Sequence, residues 1–413
     1  MYPDDAGFCP IDGVALLRST DVPVAATEDD PRLGSLLCMR YQVRRVIADG
    51  GMGRVYEALD MQDKTGVALK VLHPDVARDE IAVERFKREF EVSKLLPHDH
   101  IVEVRDFRQT EDQSYAIAME FLDGEELRMV LKREKRLVPE RLVRMLSQLA
   151  IGLDEAHRRQ LVHRDLKPDN IFLCGTRDGD IVKLLDFGSV KDKSSVAKKL
   201  TVAGTTIGSP FYMAPEQAQG LETLDARADV WALAAIAYEC ITGTVPFTGL
   251  NGPSILLAIL TKDPVPPTLA GKNGPFPVPP SMDELMELAL AKNPNIRIKT
   301  VGELADAVGH AYGLSGHHLT WAHTPQAILG QAIRAELPKW AAARPAATLG
   351  TAFSKAGGRD ATAEPFRTGV SPTLPDDALA MGLPTGPPRW LVPAIIGTLA
   401  VLVGVAGAVL FLR

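Results

Sequence analysis

Cysteine is scarce in this chain of 413 residues, which contains four cysteines without the spacing of a disulfide framework: Cys9, Cys38, Cys174 and Cys240. Such usage is typical of a reducing compartment. An excess of positive charge is missing too, since 46 Lys and Arg face 52 Asp and Glu, giving a net charge of -6. The whole chain therefore gives no reason to expect nucleic acid as a partner. The acidic start has no apolar run, which argues against a signal peptide.

A cysteine partner for Cys9 is also lacking. The segment from Phe8 to Gly13 resembles half of a zinc-ribbon knuckle, but a structural zinc needs four ligands, usually two Cys pairs. Zinc is therefore not expected as a cofactor, although a coding start further upstream could restore the missing half. Residues 1–38 are polar and rich in Pro and Asp, which predicts an irregular leader.

The residues that are present point to chemistry in one short segment. From His163 to Asn170 the sequence reads HRDLKPDN, and Asp186-Phe187-Gly188 follows soon after. A carboxylate, a lysine, an amide and a second carboxylate suit phosphoryl transfer, where a protein positions a hydroxyl and holds Mg²⁺ on a polyphosphate. This order resembles the protein-kinase signature, and its DLKPxN form is similar to Ser/Thr rather than Tyr kinases.

The resemblance assigns roles to these positions. It implies that Asp165 accepts or orients the proton of the acceptor hydroxyl, and that Lys167 neutralises charge on the transferring phosphoryl group. It also implies that Asn170 and Asp186 hold Mg²⁺, which Mn²⁺ could replace. The cofactors expected are thus ATP and Mg²⁺.

A strand, a glycine turn and a second strand precede this segment, as a main-chain flap over phosphates requires. The turn is similar to the kinase G-x-G-x-x-G-x-V loop, except that Ala48 replaces the first glycine. Altered nucleotide affinity, rather than its loss, is expected. The resemblance implies these nucleotide-binding residues: Ile47, Ala48, Gly50, Gly53, Val55, Ala68, Lys70, Glu89, Met119, Glu120 and Leu122.

Within that set, Lys70 would contact the α- and β-phosphates and pair with a glutamate of the next helix. The apolar stripe of that helix favours Glu89, with Glu91 as the competitor. Met119 would be the gatekeeper, and residues 120–122 the hinge whose main chain contacts adenine. Glu126 is a candidate ribose contact, although glutamates also favour helix N-termini.

Two further groups follow from the resemblance. Arg164, directly before Asp165, would form a basic pocket for a phosphorylated activation loop, with Thr201, Thr205 and Thr206 as candidate phosphorylation sites. Ser209 would face the substrate in a structural role. Glu216 and Arg297 would form a structural ion pair, and Asp229 would brace the catalytic loop.

The end of the sequence has a different composition. Thr324-Pro325 predicts the start of a short helix that ends at Pro338. From Pro338 to Arg389 the composition of Ala, Pro, Gly and Thr with mixed charges cannot bury enough surface to fold. Residues 315–389 are therefore assigned to a low-complexity linker, so that the kinase domain is tethered rather than docked.

An uncharged run of 22 residues then follows from Leu391 to Leu412. At 1.5 Å per residue it spans about 33 Å, enough for a bilayer core of about 30 Å, so residues 390–412 predict a transmembrane helix. ATP dependence places the kinase domain in the cytoplasm of a single-pass membrane protein. Ala400, Gly404 and Ala408 share one helical face, which suggests a homodimer suited to phosphorylation in trans.

The predicted fold is therefore α+β and bilobal, with a β-rich N-lobe at 39–122 and a helical C-lobe at 123–314. The predicted function is that of a membrane-tethered bacterial Ser/Thr protein kinase, acting on protein substrates and regulated by activation-loop autophosphorylation. The alternative is a membrane-anchored pseudokinase scaffold that binds nucleotide without transferring phosphate. A zinc-dependent interaction protein, a third class, is disfavoured by the missing cysteines.

Overall fold

The computed structural model describes residues 30–187, 210–221 and 223–342, with side chains up to residue 337. Six strands form an antiparallel sheet in the first part of the chain: β1 (Leu36–Leu37), β2 (Tyr41–Asp49), β3 (Gly53–Asp60), β4 (Gly66–Leu72), β5 (Val104–Gln109) and β6 (Tyr115–Glu120). Their spatial order is β1-β2-β3-β4-β6-β5. Alternating buried side chains of β2, β3 and β4 fill one face, as half-buried strands require.

Helix α1 (Glu80–Lys94) packs on this sheet through Phe86, whose ring centroid lies 6.1 Å from that of Phe107. The Asp79 side chain accepts a hydrogen bond from Ile81 N at 3.0 Å and so caps the start of α1. Cap and apolar stripe together fix which helix face meets the sheet. This orientation decides which glutamate of α1 can reach Lys70.

The second part of the described chain is mainly helical. Its helices are α2 (Leu127–Glu134), α3 (Pro139–Arg158), α4 (Pro215–Ala218), α5 (Arg227–Thr242), α6 (Gly252–Thr261), α7 (Pro267–Ala270), α8 (Ser281–Ala289), α9 (Val301–Ala311), α10 (His318–Trp321) and α11 (Gln326–Ala342). A small sheet of β7 (Glu125–Glu126), β8 (Ile171–Thr176) and β9 (Gly179–Leu184) lies among them. The β-sheet lobe and the helical lobe together form the expected bilobal fold.

Helix α5 is the centre of the helical lobe. Nearly all of its side chains are buried, as expected for a helix that is apolar on every face. Trp231 stacks on Phe247 with ring centroids 5.5 Å apart, and Gly243 ends the helix at a φ of 79°. The first turn of α5 therefore offers a fixed position for Asp229.

Two predicted domain boundaries differ from the structure. The folded part begins earlier than residue 39, because the Asp30 carboxylate binds Tyr56 Oη at 2.7 Å and Arg54 Nη1 at 2.6 Å. It also continues past residue 314 through α10 and α11, within the segment assigned to an unfolded linker. The predicted short helix does start after Pro325, but it runs through Pro338 to Ala342.

Packing explains the second difference. Trp321, Leu329 and Ile333 are at most 3% exposed and belong to the core of the helical lobe. Average composition over 315–389 hides these few apolar residues, which are enough to bury one helix face. Residues 318–337 are thus docked on the helical lobe rather than part of a free linker.

Candidate active site

The catalytic loop, residues 163–170, is held by a carboxylate from α5. Asp229 accepts hydrogen bonds from His163 N at 2.8 Å, Arg164 N at 2.9 Å and His157 Nε2 at 2.8 Å. Burial opposes its ionisation, but the bonds and charges of His157, His163 and the Arg164 amide lower the pKa of Asp229 below its usual range. Asp229 therefore fixes the main chain just before Asp165, the bracing position predicted for it. His157 was not singled out from the sequence.

Three polar side chains converge at the end of this loop. Lys167 Nζ lies 2.7 Å from Asp165 Oδ2, and both side chains are accessible from solvent. Asn170 Nδ2 donates to the main-chain oxygen of Asp165 at 2.8 Å. Because its nitrogen is used in this bond, the side-chain oxygen of Asn170 is the atom that can bind a metal ion.

Asp186 lies beside this loop. The Leu185 amide donates to Asn170 O at 2.8 Å. The residue before Asp186 is therefore bonded directly to Asn170, the other predicted metal ligand. The Phe187 ring is buried with its centroid 4.8 Å from that of His163. Asp186 itself has a φ of 62°, a left-handed conformation that aspartate tolerates better than most residues.

Lys70 connects Asp186 to α1. Its Nζ lies 2.6 Å from Glu89 Oε1 and 3.3 Å from Asp186 Oδ2. Burial raises the pKa of Glu89 and the charge of Asp186 adds to this, whereas Lys70 acts in the opposite direction. Although burial also opposes ionisation of Asp186, Lys70 lowers the pKa of that carboxyl. Of the two candidate glutamates, Glu89 forms the pair, while Glu91 is exposed and lies 3.9 Å from Lys87.

The residues predicted to surround the nucleotide lie on adjacent strands. Ala48 pairs with Val55, Val55 with Lys70, and Ala68 with Met119 in the register of β2, β3, β4 and β6. Ile47 lies on β2, while Gly50 and Gly53 bound the turn between β2 and β3, joined by a Gly50 N to Gly53 O bond of 3.1 Å. Ala48 is not among the residues with positive φ, so its conformation does not demand glycine.

The predicted hinge follows β6. The Glu120 carboxylate binds Lys183 Nζ at 2.6 Å and the Glu103 amide at 2.8 Å. The Glu120 carboxylate therefore links the residue before β5 to strand β9, and the contact of residues 120–122 with adenine stays a prediction. Glu126 is half-buried, and burial raises the pKa of its carboxyl.

The residues implied in regulation are only partly described. Thr201, Thr205, Thr206 and Ser209 lie outside the described residues. Arg164 has a φ of 67°, and its buried Nε has no hydrogen-bond partner within the described part of the chain. Burial lowers the pKa of this guanidinium, whereas the charge of Asp229 acts in the opposite direction.

The structural ion pair of the helical lobe is bidentate. Arg297 Nη1 and Nη2 lie 2.8 and 3.0 Å from the two Glu216 carboxylate oxygens, and both residues are buried. The neighbouring Gln217, which sequence reasoning missed, donates from Nε2 to Arg164 O at 2.8 Å. Its position next to Glu216 was the sequence feature that could have pointed to Gln217. The Gln217 bond attaches the segment around α4 to the catalytic loop, and the ion pair attaches it to Arg297, which also donates to Arg227 O at the start of α5.

A cavity of about 450 Å³ opens beside Lys167. Its lining includes Arg128, Tyr212 and Glu239, and Arg128 bridges Glu239 at 3.2 Å and Tyr212 Oη at 2.8 Å. No motif marked Arg128, because its partners Asp169, Tyr212 and Glu239 come from three distant parts of the sequence.

The donor set fits Mg-ATP. Asp186 offers a carboxylate, Asn170 offers an amide oxygen, and Lys70 supplies a fixed ammonium group between them and α1. Hard oxygen ligands and one lysine are what a metal-bound polyphosphate requires. These residues come from β4, α1, the catalytic loop and the segment after β9, and the fold brings them together.

None of the helices in the ranges that the structure describes has both the length and the apolar character needed to cross a membrane. The predicted span from Leu391 to Leu412 lies outside those ranges, as does Cys9.

Known proteins are similar to this chain over the same region. A family model described as the protein kinase domain matches residues 41–312. The serine/threonine-protein kinase pkn3 of Myxococcus xanthus is 36% identical over 360 residues, covering 86% of this chain and 65% of pkn3. PknA of Mycobacterium tuberculosis is 38% identical over 282 residues, covering 67% of this chain and 62% of PknA. The chain thus spans less than two thirds of either relative, and the pkn3 match extends past residue 312.

Solved structures agree with the fold. The PknI kinase domain of Mycobacterium tuberculosis superposes with a TM-score of 0.53 at 30% identity, covering 68% of this chain and 98% of that one. A double mutant of the same domain gives a TM-score of 0.52 at 28% identity.

Proposed function

This chain belongs to the protein kinase family, and from that premise we propose that it transfers the γ-phosphoryl group of ATP to serine and threonine hydroxyls of proteins. Bound Mg-ATP supplies the phosphoryl group and the metal charge that makes it transferable. The chain supplies positioning. The relatives named above are serine/threonine-protein kinases, which supports this choice of acceptor.

Each polar side chain has one task in the proposed reaction. Asp165 orients the acceptor hydroxyl and accepts its proton. Lys167, whose Nζ lies 2.7 Å from Asp165 Oδ2, holds that carboxylate and neutralises charge on the transferring phosphoryl group. Asn170 and Asp186 provide oxygen ligands for the metal, and Lys70, oriented by Glu89, binds phosphate oxygens.

The single observation that carries the proposal is the position of the Lys70 ammonium group. It contacts Glu89 and Asp186 at the same time, so α1, the sheet and the segment after β9 are assembled around one point. A scaffold that only binds nucleotide does not need this three-part arrangement together with an accessible Asp165–Lys167 pair. Ala48, which favoured the scaffold alternative, has an ordinary backbone conformation.

Labelling with γ-labelled ATP tests the proposal. The purified full chain should label itself or an added acceptor protein on Ser or Thr, and the label should require Mg²⁺ or Mn²⁺. A protein that binds Mg-ATP, yet labels neither itself nor any acceptor tried, contradicts the proposal and favours the scaffold.

We further propose that phosphorylation of Thr201, Thr205 or Thr206 regulates the enzyme through Arg164. The buried Arg164 Nε, which has no hydrogen-bond partner among the described residues, supports this, because a phosphothreonine could accept a bond from it and pair with its charge. Mass spectrometry should find phosphate on at least one of these threonines in the active protein and on none in Asp165→Asn. Alanine at the mapped site should lower activity, and unchanged activity would exclude the regulatory role.

Membrane tethering is a separate proposal, supported by the uncharged run from Leu391 to Leu412. In this arrangement the kinase domain faces the cytoplasm, and the small-residue face at Ala400, Gly404 and Ala408 pairs two chains. Deleting 391–413 should move the protein from the membrane fraction to the soluble fraction. Continued sedimentation with membranes would reject the tether.

A further inference from the structure

The hairpin of β8 and β9 connects the two proposed metal ligands. Strand β8 begins directly after Asn170, and β9 ends two residues before Asp186, with Ile171 paired to Leu184. The distance between the two ligands therefore depends on how this hairpin sits on the helical lobe. The contacts that hold the far end of the hairpin therefore affect the geometry of the proposed metal site.

Two buried side chains of α3 hold that far end. Arg144 Nη1 and Gln148 Nε2 both donate to the Asp180 carbonyl oxygen, the latter at 3.0 Å, and Gln148 Oε1 accepts from Val182 N at 2.8 Å. Arg144 is 8% exposed and Gln148 1% exposed. Buried bonds of this kind specify one position of the strand.

The same two side chains also hold the segment that follows the kinase family match. Arg144 Nε donates to Thr324 O at 3.0 Å, and Gln148 Nε2 is 3.4 Å from Ala322 O. The Gln326 amide, at the start of α11, donates to Asp178 O in the hairpin turn at 2.9 Å. The segment, α3 and the hairpin thus share one polar cluster. Removing the segment would expose Arg144 and take away one of its carbonyl partners.

Apolar packing fastens the segment on either side of this cluster. Trp321 lies so close to Gly309 of α9 that a Cβ there would overlap the indole ring, and Leu329 and Ile333 of α11 are 3% and 2% exposed. His318 binds Asp306 of α9 at 2.9 Å. Such contacts are typical of an integral part of a domain.

We propose that residues 318–337 form a brace that positions the β8–β9 hairpin and, through it, the metal-binding groups of Asn170 and Asp186. These residues lie outside the matched family region, so the brace is an addition to the kinase domain. The inference rests on the proposed function for the identity of the ligand, Mg-ATP. Arg144 and Gln148 are positioning residues in this arrangement, since they act through the hairpin.

The test uses the full chain and a non-hydrolysable ATP analogue, so that no transfer step is needed. Leu329→Asp combined with Ile333→Asp should detach α11, because both carboxylates would be buried. Ile328→Asp is the matched control, since Ile328 lies on the same helix and is 51% exposed. Calorimetry gives the Mg²⁺ concentration needed for analogue binding, and hydrogen exchange gives the protection of residues 171–184.

The double variant should raise the Mg²⁺ requirement roughly tenfold, the low end of the effect of losing a partner behind a metal ligand. Exchange should increase in β8 and β9 but not in β2 to β4, while Ile328→Asp behaves as wild type. If the double variant does not fold, Leu329→Ala replaces it in the test. The Mg²⁺ requirement should then rise by a smaller factor.

A detached α11, seen as fast exchange there, with wild-type Mg²⁺ requirement and wild-type protection of β8 and β9 would overturn the brace. Failure of the wild type to label any acceptor would contradict the proposed function but leave this binding test intact. If the wild type binds no Mg-analogue, the exchange measurement alone decides the brace.

Discussion

The catalytic loop and the glycine turn (residues 49–53) are held in different ways. The catalytic loop is fastened by buried bonds from Asp229 on α5 and by Gln217 at α4. The glycine turn is exposed and is held by a Gly50–Gly53 main-chain bond and by His73, whose Nε2 lies 2.8 Å from Gly50 O. Bonds open to solvent break at lower cost than buried ones. The loop that carries the proposed chemistry is therefore held more firmly, whereas the glycine turn can change conformation at lower cost.

The largest expected effect comes from Asp229→Ala, which removes the buried acceptor of the catalytic loop. The His163 and Arg164 amides would lose their partner, so the free energy of unfolding should fall by about 4 kcal/mol. Denaturant unfolding measures it. Asp225→Ala is the control, because Asp225 is exposed beside the same helix and should cost less than about 1 kcal/mol. Equal losses in the two variants would contradict the claim that the Asp229 bonds fasten the catalytic loop.

Gly53→Ala should have the next largest effect. A Cβ at Gly53 would overlap the main-chain oxygen of Val71, and overpacking against backbone costs about 1–3 kcal/mol. Nucleotide affinity should fall together with stability. In Gly50→Ala the added Cβ would meet only Gly53 O at 3.7 Å, so thermal unfolding and nucleotide titration should give near wild-type values. If Gly50→Ala proved the more damaging of the two, the steric account of the turn would be wrong.

Lowering the pH should destabilise the folded chain through His100, which contacts strand β9. Burial lowers the pKa of His100 to about 4 from an ordinary 6.5, and its Nδ1 lies 3.0 Å from Val182 O of β9. Below pH 6.5 the unfolded chain takes up a proton that the folded chain refuses until about pH 4. The free energy of unfolding should therefore fall by about 3 kcal/mol over this window.

His100→Gln keeps a donor for Val182 O but does not titrate in this range. Its stability should depend less on pH between 6.5 and 4, as measured by denaturant unfolding at several pH values. Parallel pH profiles for wild type and His100→Gln would show that His100 is not the group responsible.

The smallest expected effect is that of Ala48→Gly, which restores the usual first glycine. Because Ala48 is exposed and has no positive φ, glycine adds only flexibility, at about 0.5 kcal/mol. The KM for ATP should change by no more than about twofold, the equivalent of that energy. A tenfold improvement would mean that Ala48 restricts the turn more than its conformation indicates.

Local motifs predicted much of this site from sequence. Resemblance to the kinase signature selected Lys70 and Asp186, and the apolar stripe of α1 favoured Glu89 over Glu91; the fold does bring these three residues together. Glu89 could be chosen because the helical period fixes which side of α1 faces the sheet. The roles of the three residues in binding nucleotide and metal stay predictions.

Contacts between distant segments could not be predicted in this way. Arg144 and Gln148 look like ordinary polar positions of an amphipathic helix, yet they are buried against residues 322–324 and β9. Likewise, Leu329 and Ile333 are too few to change the average composition of 315–389. The i, i+4 spacing of these two, close after Trp321, was the signal available for a docked helix.

Phosphoryl transfer by wild type and Asp165→Asn tests the central claim most directly. The half-exposed Asp165 carboxylate contacts Lys167 and takes no part in fastening the loop, so the substitution should leave folding and Mg-ATP affinity unchanged. The rate of transfer to an acceptor protein at saturating Mg-ATP should fall by about a thousandfold. Equal transfer rates in the two proteins would contradict the assignment of Asp165 and, with it, the proposed catalytic centre.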